Sequence, residues 1–237
     1  MKQIAQFLVF VLLGGCVGSN PTRLYVLRSS DTAAALGVET NPPKSSAGEK
    51  SLSIRFGVQP VELPGYLDRS QIVSGVSENQ LAISNLDEWA EPLKDSVTRL
   101  VMEELIKKLG SLNVLALPAD DDSQLSYKLA VRVIRFETTP QGEAVLEARW
   151  YITSVKDKKQ VWADYGVFKE RVAALPAGGD KGSVSSRNVL VTNCGEVHTY
   201  QSEVSALNAV FLKLCQRLVE ACNSMAISSQ GRVSRVQ

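Results

Sequence analysis

Histidine is almost absent from this 237-residue chain, and His198 is the only one. That scarcity removes the general base that hydrolases with a Ser or Cys nucleophile place beside the attacking group. His198 lies in a polar stretch ahead of a C-terminal apolar repeat, and no Ser occupies a Gly-x-Ser-x-Gly turn. Cysteine is sparse as well, with Cys16, Cys194, Cys215 and Cys222, and no two of them have metal-ligand spacing. Asp120-Asp121-Asp122 reads as a solvated turn, because Ca²⁺ loops space their ligands along the chain. Gly178-Gly179-Asp180-Lys181-Gly182-Ser183 lacks the Gly-x-x-x-x-Gly-Lys spacing of a phosphate loop. Catalysis, a cofactor and a bound metal all go without support.

Charge imbalance is missing too, with 26 Lys and Arg against 25 Asp and Glu. Without a basic stripe, nucleic acid is excluded as a partner, as is electrostatic docking on anionic lipid. Long apolar runs are also absent. The longest N-terminal one, Phe7 to Leu13, covers ~10 Å as a helix, against about 30 Å of hydrocarbon. Behind the single charge of Lys2 it reads as a secretory signal over residues 1–15 rather than a spanning helix. Leu13-Gly14-Gly15-Cys16 looks like a bacterial lipobox, in which cleavage precedes Cys16 and its thiol carries acyl chains. The competing reading is an ordinary secretory cut with Cys16 incidental. Val17, in place of an Asp after the acylated residue, resembles lipoproteins passed on to the outer membrane.

Cys194, Cys215 and Cys222 then remain. Cys215 and Cys222 fall on one predicted helix about 10 Å apart along its axis, too far to bridge. Cys194 could pair with either, or all three could act as small hydrophobes.

With 44% apolar residues the chain can bury a sizeable core. Residues 16–50 read as a tether, a first strand Arg23–Arg28 and a loop without apolar period. A main domain spans 51–225, and 226–237 read as a disordered tail. Strands are predicted at Ser51–Val58, Gln71–Gly75 with Leu81-Ala82-Ile83 as its partner, and Asn113–Leu117. Leu125–Val133, Ala144–Ile152 and Gln160–Arg171 alternate as a three-strand antiparallel meander, with Thr139-Pro140-Gln141-Gly142 as the first turn. Ser84-Asn85-Leu86-Asp87 has capping-box spacing and predicts a helix start. A short helical turn would then hold Trp89, with a main helix from Pro92 to the stop at Gly110. Val204, Leu207, Phe211, Leu214, Leu218, Ala221 and Met225 mark a second amphipathic helix. Residues 174–186 read as a Gly/Ser loop. The expected fold is α+β: one mainly antiparallel sheet with a C-terminal meander and two long amphipathic helices on one face.

Two ordered sets of motifs carry a resemblance. The run Val58-x-Pro60-Val61-x-Leu63-Pro64-Gly65-Tyr66-Leu67-Asp68-Arg69-Ser70-Gln71-Ile72-Val73 is followed by Leu86-x-x-Trp89-Ala90-Glu91-Pro92-Leu93. Val133-Ile134-Arg135-Phe136 and Gly142-Glu143-Ala144-x-Leu146-Glu147-Ala148-Arg149-Trp150 come after them. Behind a lipobox, this order resembles the ABC-type transport auxiliary lipoproteins. The resemblance implies a non-enzymatic, outer-membrane-anchored periplasmic partner of a mammalian-cell-entry (MCE)-domain transport protein. Such systems move lipid between membranes, and some family members self-associate, which makes a homo-oligomer an expectation here. Tyr66, Asp68, Arg69 and Trp89 are candidates for a partner or self-association surface. Pro64-Gly65 suits the centre of a type II turn, with positive φ expected at Gly65 and an Asp68–Arg69 contact behind it. Two other functions stand beside this one: a lipid-binding carrier with an apolar pocket between helices and sheet, and an assembly chaperone for another envelope protein.

Overall fold

Strict alternation of apolar and polar residues builds the longest strands. The computed structural model describes residues 21–29, 54–119, 123–174, 189–191 and 197–233. In it β6 (Tyr127–Thr138), β7 (Glu143–Ser154) and β8 (Lys159–Arg171) pair antiparallel in chain order. Gly142 closes the first hairpin with φ +74°, a left-handed conformation open to Gly. Leu129, Val131 and Val133 of β6 and Leu146, Ala148, Trp150 and Ile152 of β7 are buried on one face. A bulge between Val133 and Arg135 resets the alternation, so that Phe136 takes the next inward place. Across from Ala148, Gly166 leaves room for two rings: a Cβ there would come 3.3 Å from the Trp150 ring and 2.9 Å from Phe168.

Beyond β6 the sheet forks. At its start β6 pairs in parallel with β2 (Phe56–Val58), which also pairs with β5 (Val114–Ala116). At its end, through Ser74 and Thr138, β6 meets β3 (Gln71–Ser77) in parallel. β3 pairs antiparallel with β4 (Gln80–Trp89), and β1 (Arg23–Tyr25) lies parallel along the outer edge of β4. The long pairings are antiparallel and the short ones parallel.

Helix α1 (Leu93–Leu109) starts directly after Pro92 and ends before Gly110, with Lys107 and Lys108 in the last turn. Leu93, Val97, Leu100, Val101, Leu105 and Leu109 line its buried stripe. Helix α2 (Tyr200–Val233) buries Val204, Leu207, Phe211, Leu214 and Leu218. Phe211 meets Phe136 of β6 edge to face at 6.2 Å, which seats α2 over the sheet. On the opposite sheet face Arg132 and Arg149 stand directly across from each other, an unfavourable pair by itself. Arg132 is drawn to Glu62 at 2.6 Å, and Arg149 lies 5.8 Å from the Tyr165 ring centre.

Four expectations are corrected. The capping-box spacing does not start a helix. Ser84 Oγ does accept from the Leu86 and Asp87 amides, but these bonds close an irregularity within β4. Trp89 is therefore the last residue of a strand, not part of a helical turn. The stretch from 226, expected as a tail, continues α2 to Val233, with Ser224 and Ser228 hydroxyls donating to carbonyls one turn back. Gly65 opens a 3₁₀ turn (Gly65–Leu67) without positive φ. Beyond the 174–186 stretch read as a loop, β9 (Val189–Val191) and β10 (Val197–Thr199) pair antiparallel. Residues 51–53, 120–122, 175–188 and 234–237 lie outside the described ones.

Two buried carboxylates tie these parts together. Asp87 is 1% exposed and accepts from Arg23 Nε and Nη2, each at 2.6 Å, from Tyr25 at 2.9 Å and from Ser84 at 2.8 Å. Glu203, in the first turn of α2, accepts from Ser74 Oγ at 2.9 Å. Burial raises its carboxyl from 4.5 to about 7, with Asp87 adding to the rise and hydrogen bonds from Ser74 and Thr138 opposing it.

Asp87→Ala leaves the Arg23 charge without its partner, and we expect a loss of about 3–5 kcal/mol in urea unfolding. For Glu203 the folded chain holds a proton that the unfolded chain releases between pH 4.5 and about 7. Stability therefore falls as pH rises through that window and levels off above it. Glu203→Gln should flatten this dependence and stabilise the protein at pH 8 by about 2–3 kcal/mol, read from denaturation midpoints across pH.

Candidate functional site

The two motif stretches, some twenty positions apart in sequence, are brought side by side by the β3–β4 pairing. Pro64 (φ −66°, ψ 147°) turns the chain into the 3₁₀ turn, whose Leu67 and Asp68 amides donate to Pro64 and Gly65 carbonyls at 3.0 and 3.2 Å. Asp68 to Ser70 then lead into β3. The Trp89 amide donates to the Ser70 carbonyl at 2.7 Å, and the Ala90 amide to the Tyr25 carbonyl at 2.8 Å. Pro92 stops this strand from continuing and starts α1. A groove of about 370 Å³ remains between Asp68–Arg69–Ser70 on one wall and Trp89–Ala90–Glu91–Pro92–Leu93 on the other.

Charge in this groove is unevenly satisfied. Glu91 accepts from Arg99 at 2.6 Å and from Ser96 at 2.7 Å, and these bonds hold its carboxyl below the ordinary value. Arg99 also reaches Glu103 at 3.0 Å. Arg69 is the exception: its Nε is buried and has no hydrogen-bond partner among the described residues. Asp68 beside it is exposed, and no ion pair joins the two. The groove thus combines the charged and polar side chains of Asp68, Arg69, Ser70 and Glu91 with the apolar Trp89, Pro92 and Leu93.

The structure brings Asp68, Arg69 and Trp89 onto this groove. Trp89 is only 6% exposed and belongs to the core, so it supplies a wall rather than a projecting anchor. Tyr66 turns away. It packs against the core with its hydroxyl at Glu137, and burial, helped by that carboxylate, raises its pKa above the ordinary value. Ser70 and Glu91 stand in the motifs but, with Ser96 and Arg99, were not among the candidate surface residues. The eight-residue reach from Glu91 to Arg99 matches no helical spacing, because Glu91 lies ahead of the helix. Cys215 and Cys222 are buried free thiols on α2, where burial pushes both upward, Cys222 to about 12. Cys16 and Cys194 lie outside the described residues, and so does any pairing that involves Cys194.

A buried donor without a partner costs on the order of 1–3 kcal/mol. Arg69→Met keeps the aliphatic stem and removes that donor. We expect it to raise the urea midpoint of the isolated protein, by about 1 kcal/mol in stability. A fall would show that Arg69 holds the fold together.

Residues 35–219 match the sequence model of the ABC-type transport auxiliary lipoprotein component family, a span that includes both walls of the groove. No curated protein matches. A crystal structure of an uncharacterized protein is 14% identical, covers 86% of this chain and 99% of its own, and superposes with a TM-score of 0.58. A Xanthomonas campestris protein of the DUF330 family is 16% identical over 76% of this chain and 88% of its own, with a TM-score of 0.54. At such identities the likeness is one of fold. The sequence match covers well over half of the chain, which belongs to the ABC-type transport auxiliary lipoprotein component family.

Proposed function

We propose that this protein is a non-catalytic docking subunit of an ABC-type transport system, held at the periplasmic face of the outer membrane by acyl chains on Cys16. There it would engage an MCE-domain protein, so that lipid passes between the two membranes. One observation carries this reading: the stretches that resemble the family, 68–70 and 89–93, converge on one surface groove.

Anchoring through Cys16 agrees with the short N-terminal apolar run, and among the described residues no helix is long and apolar enough to cross a membrane. Two acyl chains, at ~0.8 kcal/mol per buried CH₂, hold a protein stably. The carrier reading finds less support. Phe56, Trp150, Phe211, Leu100 and Leu214, each under 2% exposed, fill the space between helices and sheet where a lipid chamber would lie. Self-association is supported by the edge of β8, which pairs only with β7 among the described strands, and by its exposed side chains, among them Trp162, Tyr165 and Val167.

Envelopes solubilised in mild detergent should yield an MCE-domain protein with the tagged wild-type chain. Its absence across several detergents would refute the docking role. Cys16→Ser should move the protein from the membrane pellet to the soluble fraction. Retention on the membrane, with transport intact, would refute the acyl anchor.

A further inference from the structure

We propose that the free end of the β3–β4 hairpin, with β1 beside it, rests on the lipid bilayer, where Leu24, Leu81 and Ile83 enter the headgroup–acyl boundary. This rests on the acyl anchor at Cys16 proposed above and names the surface that the anchor lays on the membrane.

Strand direction sets the first constraint. β1 runs parallel to β4, with Arg23 beside Asp87 and Tyr25 beside Trp89. The Arg23 end of β1, the end nearer Cys16, therefore points along β4 toward Leu81 and the hairpin turn. Seven residue steps separate Cys16 from Arg23 and reach at most ~24 Å. Six steps of β4 separate Asp87 from Leu81, roughly 20 Å along the strand. An acyl group on Cys16 thus holds β1 and the hairpin end within one tether length of the bilayer. The other end of the sheet stands farther off. β6 meets β3 at Thr138 and β2 from Tyr127 onward, and these two positions lie roughly 36 Å apart along the strand.

Side-chain direction and charge select the occupant. Ser74 donates to Glu203 of α2, and Ala82 stands across from Ser74. Leu81 and Ile83, on either side of Ala82, therefore face away from α2. Leu24 lies between Arg23 and Tyr25, which both reach Asp87, and so turns away from that clamp. All three are exposed. From Gln71 to Leu86 the sole charged residue is Glu78, in a chain that is 22% charged. The uncharged turn Thr139-Pro140-Gln141-Gly142 lies alongside: a Cβ at Gly75 would come 2.7 Å from the Thr138 carbonyl and 3.6 Å from the Pro140 ring. A surface without cations has no electrostatic pull toward anionic lipid. It suits an uncharged boundary that takes up apolar side chains.

The backbone limits the depth. β1 covers β4 only from Asp87 to Trp89, so among the described strands the outer edge of Gln80–Leu86 has no partner. Unpaired amides and carbonyls cannot enter hydrocarbon, but they stay hydrated among headgroups. Side chains are buried while the strand stays at the surface.

The test takes the full chain, purified from membranes in detergent, onto phosphatidylcholine vesicles and reads hydroxyl-radical oxidation. Leu81 and Leu115 are the same residue type at 40% and 42% exposure, and Leu115 sits on β5, at the far end of the fork. On vesicles Leu81 should be oxidised about fivefold less than Leu115, at low protein density and at high salt alike. Equal oxidation on protein that floats with the vesicles overturns the inference while the anchor stands. Protection seen only at high protein density overturns it in favour of a second copy on this face. Protection lost at high salt overturns it in favour of a charged contact. Failure of the chain to float with the vesicles refutes the anchor, and the inference falls with it. Leu81→Asp combined with Ile83→Asp should lift the hairpin and raise oxidation of Leu24 about threefold on vesicles. No rise in a folded variant overturns the inference. The Leu81–Leu115 contrast needs wild-type protein alone, so it decides even if that variant folds poorly.

Discussion

A single buried carboxylate organises one end of this molecule. Asp87 collects both Nε and Nη2 of Arg23, the Tyr25 hydroxyl and the Ser84 hydroxyl. An ion pair removed from water repays its desolvation only if the remaining hydrogen-bonding capacity is filled, and four donors do so. Because two of the partners lie on β1, a three-residue strand is fastened to the sheet far more firmly than its few ladder bonds could achieve.

The same clamp shapes the groove. Ser84 and Asp87 pinch the strand so that β4 carries extra residues relative to β3. The strand then delivers Trp89 to the core and Glu91 to the surface within three positions, before Pro92 turns the chain into α1. Arg69 faces this corner from the neighbouring strand entry. Its Nε is buried there without an acceptor among the described residues, a cost to the domain.

The N-terminal half of the sheet and the groove were legible only in pieces. The hairpin at Thr139–Gly142 was readable because alternation of period two on both sides of a Pro- and Gly-containing turn has one simple solution. The stripe of α1 was equally plain, bounded by Pro92 and Gly110. Ser84–Asp87 misled for an instructive reason. Its local bonds are the ones a capping box predicts, yet their geometry is also compatible with a strand irregularity, and Arg23 decides between the two from 64 residues away. The end of α2 misled in the opposite sense: residues after 225 lack an apolar pattern but continue a helix whose start and middle are already paid into the core.

Local periodicity, turn chemistry and composition determined that this would be an α+β chain with a strong C-terminal set of strands and two amphipathic helices. They also marked Asp68, Arg69 and Trp89 as worth watching. Tertiary structure alone decided that those residues share a groove, that Tyr66 leaves it for Glu137, and that Arg69 is the one donor there without an acceptor. The reason is physical. Backbone preferences act over a few residues, whereas satisfaction of a buried charge depends on whichever distant strands the core happens to bring within hydrogen-bonding reach.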